Sequence, residues 1–128
     1  MSQQPTPAPR TPRTPRKPPD HPLIDALHLL SGKWAMHVLF HMNNRGGPMR
    51  FSELQRLIPQ VTAKELTKRL RELERAGLVK RTVHAEVPPR VEYLMTPLCT
   101  TLVEPLTALT RWAEAHATEI ARHWGDDP

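Results

Sequence analysis

The chain carries one cysteine, Cys99, in 128 residues. An internal disulfide framework is therefore excluded, and the composition fits a reducing cytoplasm. Long apolar runs and a signal-peptide pattern are missing, so neither a membrane span nor secretion is expected. Glycine is scarce, at five residues. None of these builds a phosphate-cradling loop. A nucleophile elbow, paired catalytic carboxylates and a Ser/His/Asp arrangement are missing as well, which argues against an enzyme. Metal chemistry has little to build on. His37 and His41 lie four apart, a ligand spacing, with His21 and His28 upstream, but no carboxylate or cysteine pattern completes a site. No catalytic residue, metal or cofactor is expected, and the imidazoles are read as facing solvent or a ligand pocket between dimer helices.

Basic charge is plentiful and unevenly placed. The formal net charge is +5. Residues 33–90 hold twelve Lys/Arg against five Asp/Glu, whereas residues 91–128 hold two against six. Residues 1–20 hold four against one, and Asp25 is the one remaining charged residue. Cationic charge concentrated in the middle of the chain and at its N-terminal end is the footprint expected for nucleic acid, with anionic lipid as the competing partner.

Residues 62–77 focus that charge. Leu66, Leu70 and Leu73 recur at four- and three-residue steps, so they share one helix face. A turn of about 100° per residue places Lys64, Lys68, Arg71 and Arg75 together on the opposite face. Thr62 and Glu65 fit a capping box and Gly77 a C-terminal stop. Such a helix suits the DNA major groove, where lysine and arginine meet phosphates and guanine edges. A surface helix with a solvated charged face is the alternative.

Around this helix the chain divides simply. Residues 1–20 form a Pro/Arg-rich basic arm, residues 21–124 one domain, and residues 125–128 a tail. Eight of the fifteen prolines lie in the first twenty-two residues, a density that favours extended disorder. The arm is either an unstructured leader or a phosphate-tracking extension. Residues 22–30 start a helix, Gly32 interrupts it, and Trp34, Val38, Leu39 and Met42 mark a second. Residues 43–48 read as a turn cluster. Residues 51–58 read as a short helix, with Ser52 and Gln55 as its capping box. A short helix, a break at Pro59-Gln60-Val61 and a capped second helix make a helix-turn-helix. Two β-prone runs, 78–83 and 91–94, flank Pro88-Pro89 and predict a hairpin, or wing, with Arg90 projecting near its tip. Arg90 either meets the phosphates or minor groove or pairs with Glu86 or Glu92.

Thr96-Pro97 then opens a final helix, kinked or restarted at Pro105. Its apolar face of Leu102, Leu106, Leu109, Ala113 and Ile120, with Trp112 and Trp124 beside it, exceeds what so small a domain can cover. A partner helix from a second copy is expected. The architecture read from these elements is mainly α with a small β-hairpin (α+β): a winged helix-turn-helix dimerising through its terminal helices. The candidate DNA-binding residues are Thr62, Lys64, Thr67, Lys68, Arg71, Arg75 and Arg90. A winged-helix module that docks protein instead is the runner-up, since one fold serves both roles.

Several ordered motifs now acquire a common meaning. Ser31-Gly32-Lys33-Trp34, Met49-Arg50-Phe51-Ser52-Glu53-Leu54, residues 66–74, Gly77-Leu78-Val79, residues 86–93 and Thr96-Pro97-Leu98 together resemble the HxlR-type family of winged helix-turn-helix regulators, distant relatives of the MarR group. The resemblance runs from about Pro22 to Trp112. It implies a homodimer that binds an inverted-repeat operator in double-stranded DNA and controls nearby genes. It also implies that the terminal helices form the dimer and the wing flanks the DNA. Two positions depart from the pattern. His21 stands where family members usually have a cysteine, which in some senses oxidants, and imidazole cannot do thiolate chemistry. Cys99 stands where the family usually has glycine. It is either a reactive thiol at a helix start or, as expected here, a small buried hydrophobe. That leaves a small apolar effector between the helices, or protein abundance, as the means of control.

Overall fold

The computed structural model describes residues 21–125. The basic arm expected over residues 1–20 lies outside the described residues, as do residues 126–128 of the expected tail. The elements in chain order are α1 (Pro22–Leu30), α2 (Ala35–Arg45), α3 (Phe51–Leu57), α4 (Ala63–Arg75), β1 (Val79–His84), β2 (Arg90–Met95), α5 (Pro97–Thr100) and α6 (Val103–Gly125). This is the mainly helical fold with a two-stranded antiparallel hairpin that the sequence predicts.

Leu66, Leu70 and Leu73 of α4 are buried with Val38, Leu39 and Met42 of α2, Leu54 of α3, and Val79 of β1. This shared core fixes α4 against the body of the domain with its polar face outward. Leu66→Ala would cost about 2–5 kcal/mol by the usual range for emptied core sites. Gly77, at φ 77, takes the left-handed conformation that ends α4. Leu78 N–H donates to Leu73 O at 2.9 Å and Gly77 N–H to Glu74 O at 3.0 Å. These two bonds satisfy carbonyls the helix leaves open and turn the chain directly into β1.

The hairpin pairs Val79 with Met95 through His84 with Arg90, and residues 85–89 form its loop. Met49 adds a bridge on the outer side of β2, exchanging backbone bonds with Tyr93 at 2.8 and 2.9 Å. A single bridging residue leaves no alternating pattern, so nothing in the sequence announced it.

Two local expectations are corrected and a third is refined. The turn expected over residues 43–48 is shorter, because α2 runs on through Asn43, Asn44 and Arg45 until Gly46 stops it at φ 68. Ser52 and Gln55 do not cap α3. Arg50 is the N-cap residue, and the Glu53 carboxylate accepts its backbone N–H at 3.0 Å. The restart expected at Pro105 is present, two residues earlier, so the final helix is two helices. Thr96 caps α5 by accepting from Cys99 N–H at 3.2 Å, and α6 begins afresh at Val103. Leu102 therefore lies in the intervening turn. Pro105 sits in the first turn of α6, where its missing N–H would have had no helical partner.

Candidate nucleic-acid interface

Thr62 sets the start of α4. Its hydroxyl accepts from Glu65 N–H at 3.0 Å while Glu65 Oε1 accepts from Thr62 N–H at 3.1 Å. The expected capping box is thus present in full. Its second carboxylate oxygen, Oε2, takes Trp34 Nε1–H at 3.1 Å and the Lys33 ammonium at 3.1 Å. These donors hold the Glu65 carboxyl at about 2, against an ordinary 4.5, with the Thr62 backbone N–H contributing most.

From that start, Lys64, Lys68, Arg71 and Arg75 emerge on one exposed face. With Ala63, Thr67 and Glu72 they line a shallow depression along α4. Among the described residues none of the four cations lies within 4.0 Å of a carboxylate. Glu72, three residues before Arg75, is taken by Arg69 at 2.6 Å. The stripe therefore meets an anion without first breaking an internal pair. Thr67 Oγ1 donates to Ala63 O at 2.7 Å, so toward a base it can only accept. Thr62 keeps its hydroxyl proton free, but its oxygen already serves as the cap.

A second cleft lies between α4 and the hairpin, lined by Thr67, Leu70, Arg71, Glu74, Arg81 and Tyr93. Arg81 is a cationic neighbour of the stripe that the sequence reading missed. The available signal was its parity with Val79 and Val83, which puts it on the same side of β1. Arg50 is a second omission. It is exposed and shares a hollow with Pro88, Pro89 and Arg90 at the wing.

Arg90 does not project from the tip. It is the first residue of β2, half-buried, with Nη2 3.1 Å from Glu86 Oε1 and Nε 4.0 Å from Glu92 Oε1. Glu92 Oε1 also binds His84 Nε2. Arg90 Nε is buried without a hydrogen-bond partner. The pairing kept as an alternative is the one present in the free chain. Glu86 meets Arg90 across the hairpin loop, four residues away, while Arg90 also lies opposite His84, whose side chain shares the Glu92 carboxylate.

The expected dimer residues separate into two groups. Leu102 and Leu106 pack partly on their own core. Leu109, at 52% exposed, and Ala113 face outward, and α6 contains no buried residue. Trp112 and Trp124 are 54% and 79% exposed, and on α1 Leu23, Ile24 and Leu27 are uncovered too. Between α2 and α6 an apolar groove of about 250 Å³ is lined by Met36, Phe40, Met95, Cys99, Leu102 and Leu106, among others. Cys99 is buried at its floor, and burial pushes its thiol pKa up. His37 packs edge-on against Trp34 and His41 against Phe40. Among the described residues no group of three or more metal-ligating side chains occurs, and no helix is long and apolar enough to cross a membrane.

Known proteins share this arrangement. Residues 29–121 match the family model described as HxlR-like helix-turn-helix. An uncharacterised HTH-type transcriptional regulator of Methanothermobacter thermautotrophicus is 42% identical over 93 residues, covering 73% of this chain and 70% of the relative. The crystal structure of a putative HTH-type transcriptional regulator, ytcD, superposes with a TM-score of 0.69 at 38% identity, covering 75% of this chain and 96% of that one. The redox regulator HypR in its reduced form superposes at 0.71 with 35% identity, covering 80% and 99%. With the family match spanning most of the chain and the winged helix-turn-helix in place, this protein belongs to the HxlR-like helix-turn-helix family of transcriptional regulators.

Proposed function

We propose that the chain binds operator DNA as a homodimer, laying α4 in the major groove with the hairpin alongside, and so controls transcription. The observation that carries this reading is the row Lys64, Lys68, Arg71 and Arg75, unpaired with carboxylates among the described residues and backed by buried Leu66, Leu70 and Leu73. Lys64, Thr67 and Lys68 lie toward the N-terminal half of α4, where a recognition helix meets base edges. Arg71, Arg75 and Arg81 flank them as phosphate contacts. The uncovered faces of α1 and α6 support pairing of two copies, which spaces two recognition helices for an inverted repeat. Arg90 joins the interface only by exchanging Glu86 for a phosphate. Control by a small apolar effector in the groove above Cys99 is consistent with its lining, while buried Cys99 and His21 in place of the usual cysteine weigh against thiol sensing. Selection of duplexes from a random pool by the purified chain tests the reading. Enrichment of an inverted repeat is expected, and recovery of no sequence preference would sink it.

A further inference from the structure

Three residues at the elbow between α1 and α2, outside the helix-turn-helix itself, reach the recognition helix. Trp34 holds a left-handed backbone at φ 73, unfavourable for so bulky a residue and sustained only where surrounding contacts impose it. From there its indole N–H spans 31 positions of sequence to Glu65 Oε2 at 3.1 Å. Lys33 Nζ shares that oxygen at 3.1 Å and lies 5.5 Å from the Trp34 ring centroid. One turn further along α4, the Arg69 guanidinium lies against Gly32, so close that a Cβ there would collide with Nη1. Glu72 pins that guanidinium at 2.6 Å. The elbow thus grips α4 at residues 65 and 69, one helical turn apart. Buried leucines fix how deep a helix sits, but they permit rocking and rotation. A polar contact at Glu65 and close steric packing at Arg69, a turn apart on its flank, oppose both. Lys64 and Lys68, each next to a gripped residue, are the side chains this would aim.

We propose that Trp34 and Glu65 form a latch that sets the position of α4 and thereby its discrimination between DNA sequences. They are positioning residues and touch no DNA. Base readout depends on placement within about 0.5 Å, whereas attraction to phosphates tolerates a shifted helix. Loss of the latch therefore lowers binding to the preferred sequence more than binding to DNA in general. The inference rests on α4 being the DNA-reading element.

Two variants isolate the latch. Trp34→Phe keeps an aromatic ring and removes the donor. Glu65→Gln keeps an acceptor for Thr62 N–H, since glutamine also serves a capping box, and removes the charge that holds Lys33 and the indole. Each is compared with the wild-type chain on the duplex that the wild type enriches from a random pool and on the unselected pool. Thermal melting and helicity are recorded in parallel. The latch predicts a loss of about tenfold on the enriched duplex and under about twofold on the pool, in folded protein. Unchanged preference in a folded Glu65→Gln chain, or equal losses on both duplexes, overturns it, whatever Trp34→Phe does to folding. Absence of any sequence enriched by the wild type would end both this inference and the DNA-reading role of α4.

Discussion

At the scale of single residues, charge partners decide which cations are free to act. Among the described residues Lys68 has no carboxylate within 4.0 Å, and Lys68→Ala is expected to cost about 1–3 kcal/mol on the preferred duplex if it meets a base edge. Equal loss on random DNA, measured by titration at fixed salt, would reassign it to phosphate. Arg90 is held by Glu86 and faces Glu92. Glu86→Gln should therefore tighten DNA binding, because it frees the guanidinium and removes a repelling charge, while Arg90→Ala should reduce the salt slope by about one phosphate equivalent. Identical binding isotherms for wild type and Glu86→Gln would leave Arg90 a structural pair. Glu65 carries a pH signature. Its folded pKa, about 2, lies below the ordinary 4.5, so its stabilising contribution is complete above pH 4.5 and fades as pH falls toward 2. The gap in melting temperature between wild type and Glu65→Gln should narrow over that window; a gap independent of pH would contradict the assigned contacts. The opposite charge signs of residues 86 and 90 were legible in sequence. Which partner Arg90 would meet depended on how the hairpin loop folds back.

At the scale of elements, the readable parts were those specified by local chemistry. Thr62 and Glu65 announced the start of α4, Gly77 its end, and the leucine spacing its buried side. Thr62→Ala should cost about 1 kcal/mol through the lost cap, with the loss visible as a lower melting temperature. The misread parts were those decided by distant contacts. Trp34 in a left-handed conformation could not be inferred from Gly32 two residues before it, because its indole acceptor lies on another helix. Asn43 and Asn44 resemble turn residues locally, yet they extend α2 until Gly46 ends it. Arg50 displaced Ser52 as the cap of α3 because Glu53 reached the Arg50 backbone. Cys99 followed the local expectation of a small buried hydrophobe. DNA binding should survive diamide equally in wild type and Cys99→Ser, and loss in the wild type alone would make this thiol a switch.

At the scale of the whole molecule, basic charge and uncovered apolar surface lie on different elements. The basic stripe lies on α4, and the uncovered apolar surface lies on α1 and α6. Total charge segregation was legible in the sequence, whereas the separation of Leu102 and Leu106 from Leu109 required the three-dimensional packing. That separation matters for choosing a test. Leu106 supports its own domain, so Leu109→Glu is the cleaner change. It should give a folded monomer by light scattering at micromolar concentration, with operator affinity sharply reduced; a Leu109→Glu chain that stays dimeric would move the interface elsewhere. The central claim, that the unpaired face of α4 reads DNA, is tested most directly by measuring the salt dependence of binding to the enriched duplex for wild type and for Lys68→Ala with Arg71→Ala. The account predicts a steep linear fall of log affinity with log salt in the wild type, shallower by about two phosphate equivalents or less in the double variant, together with weakened sequence preference. Unchanged slope, affinity and preference in a folded double variant would contradict it.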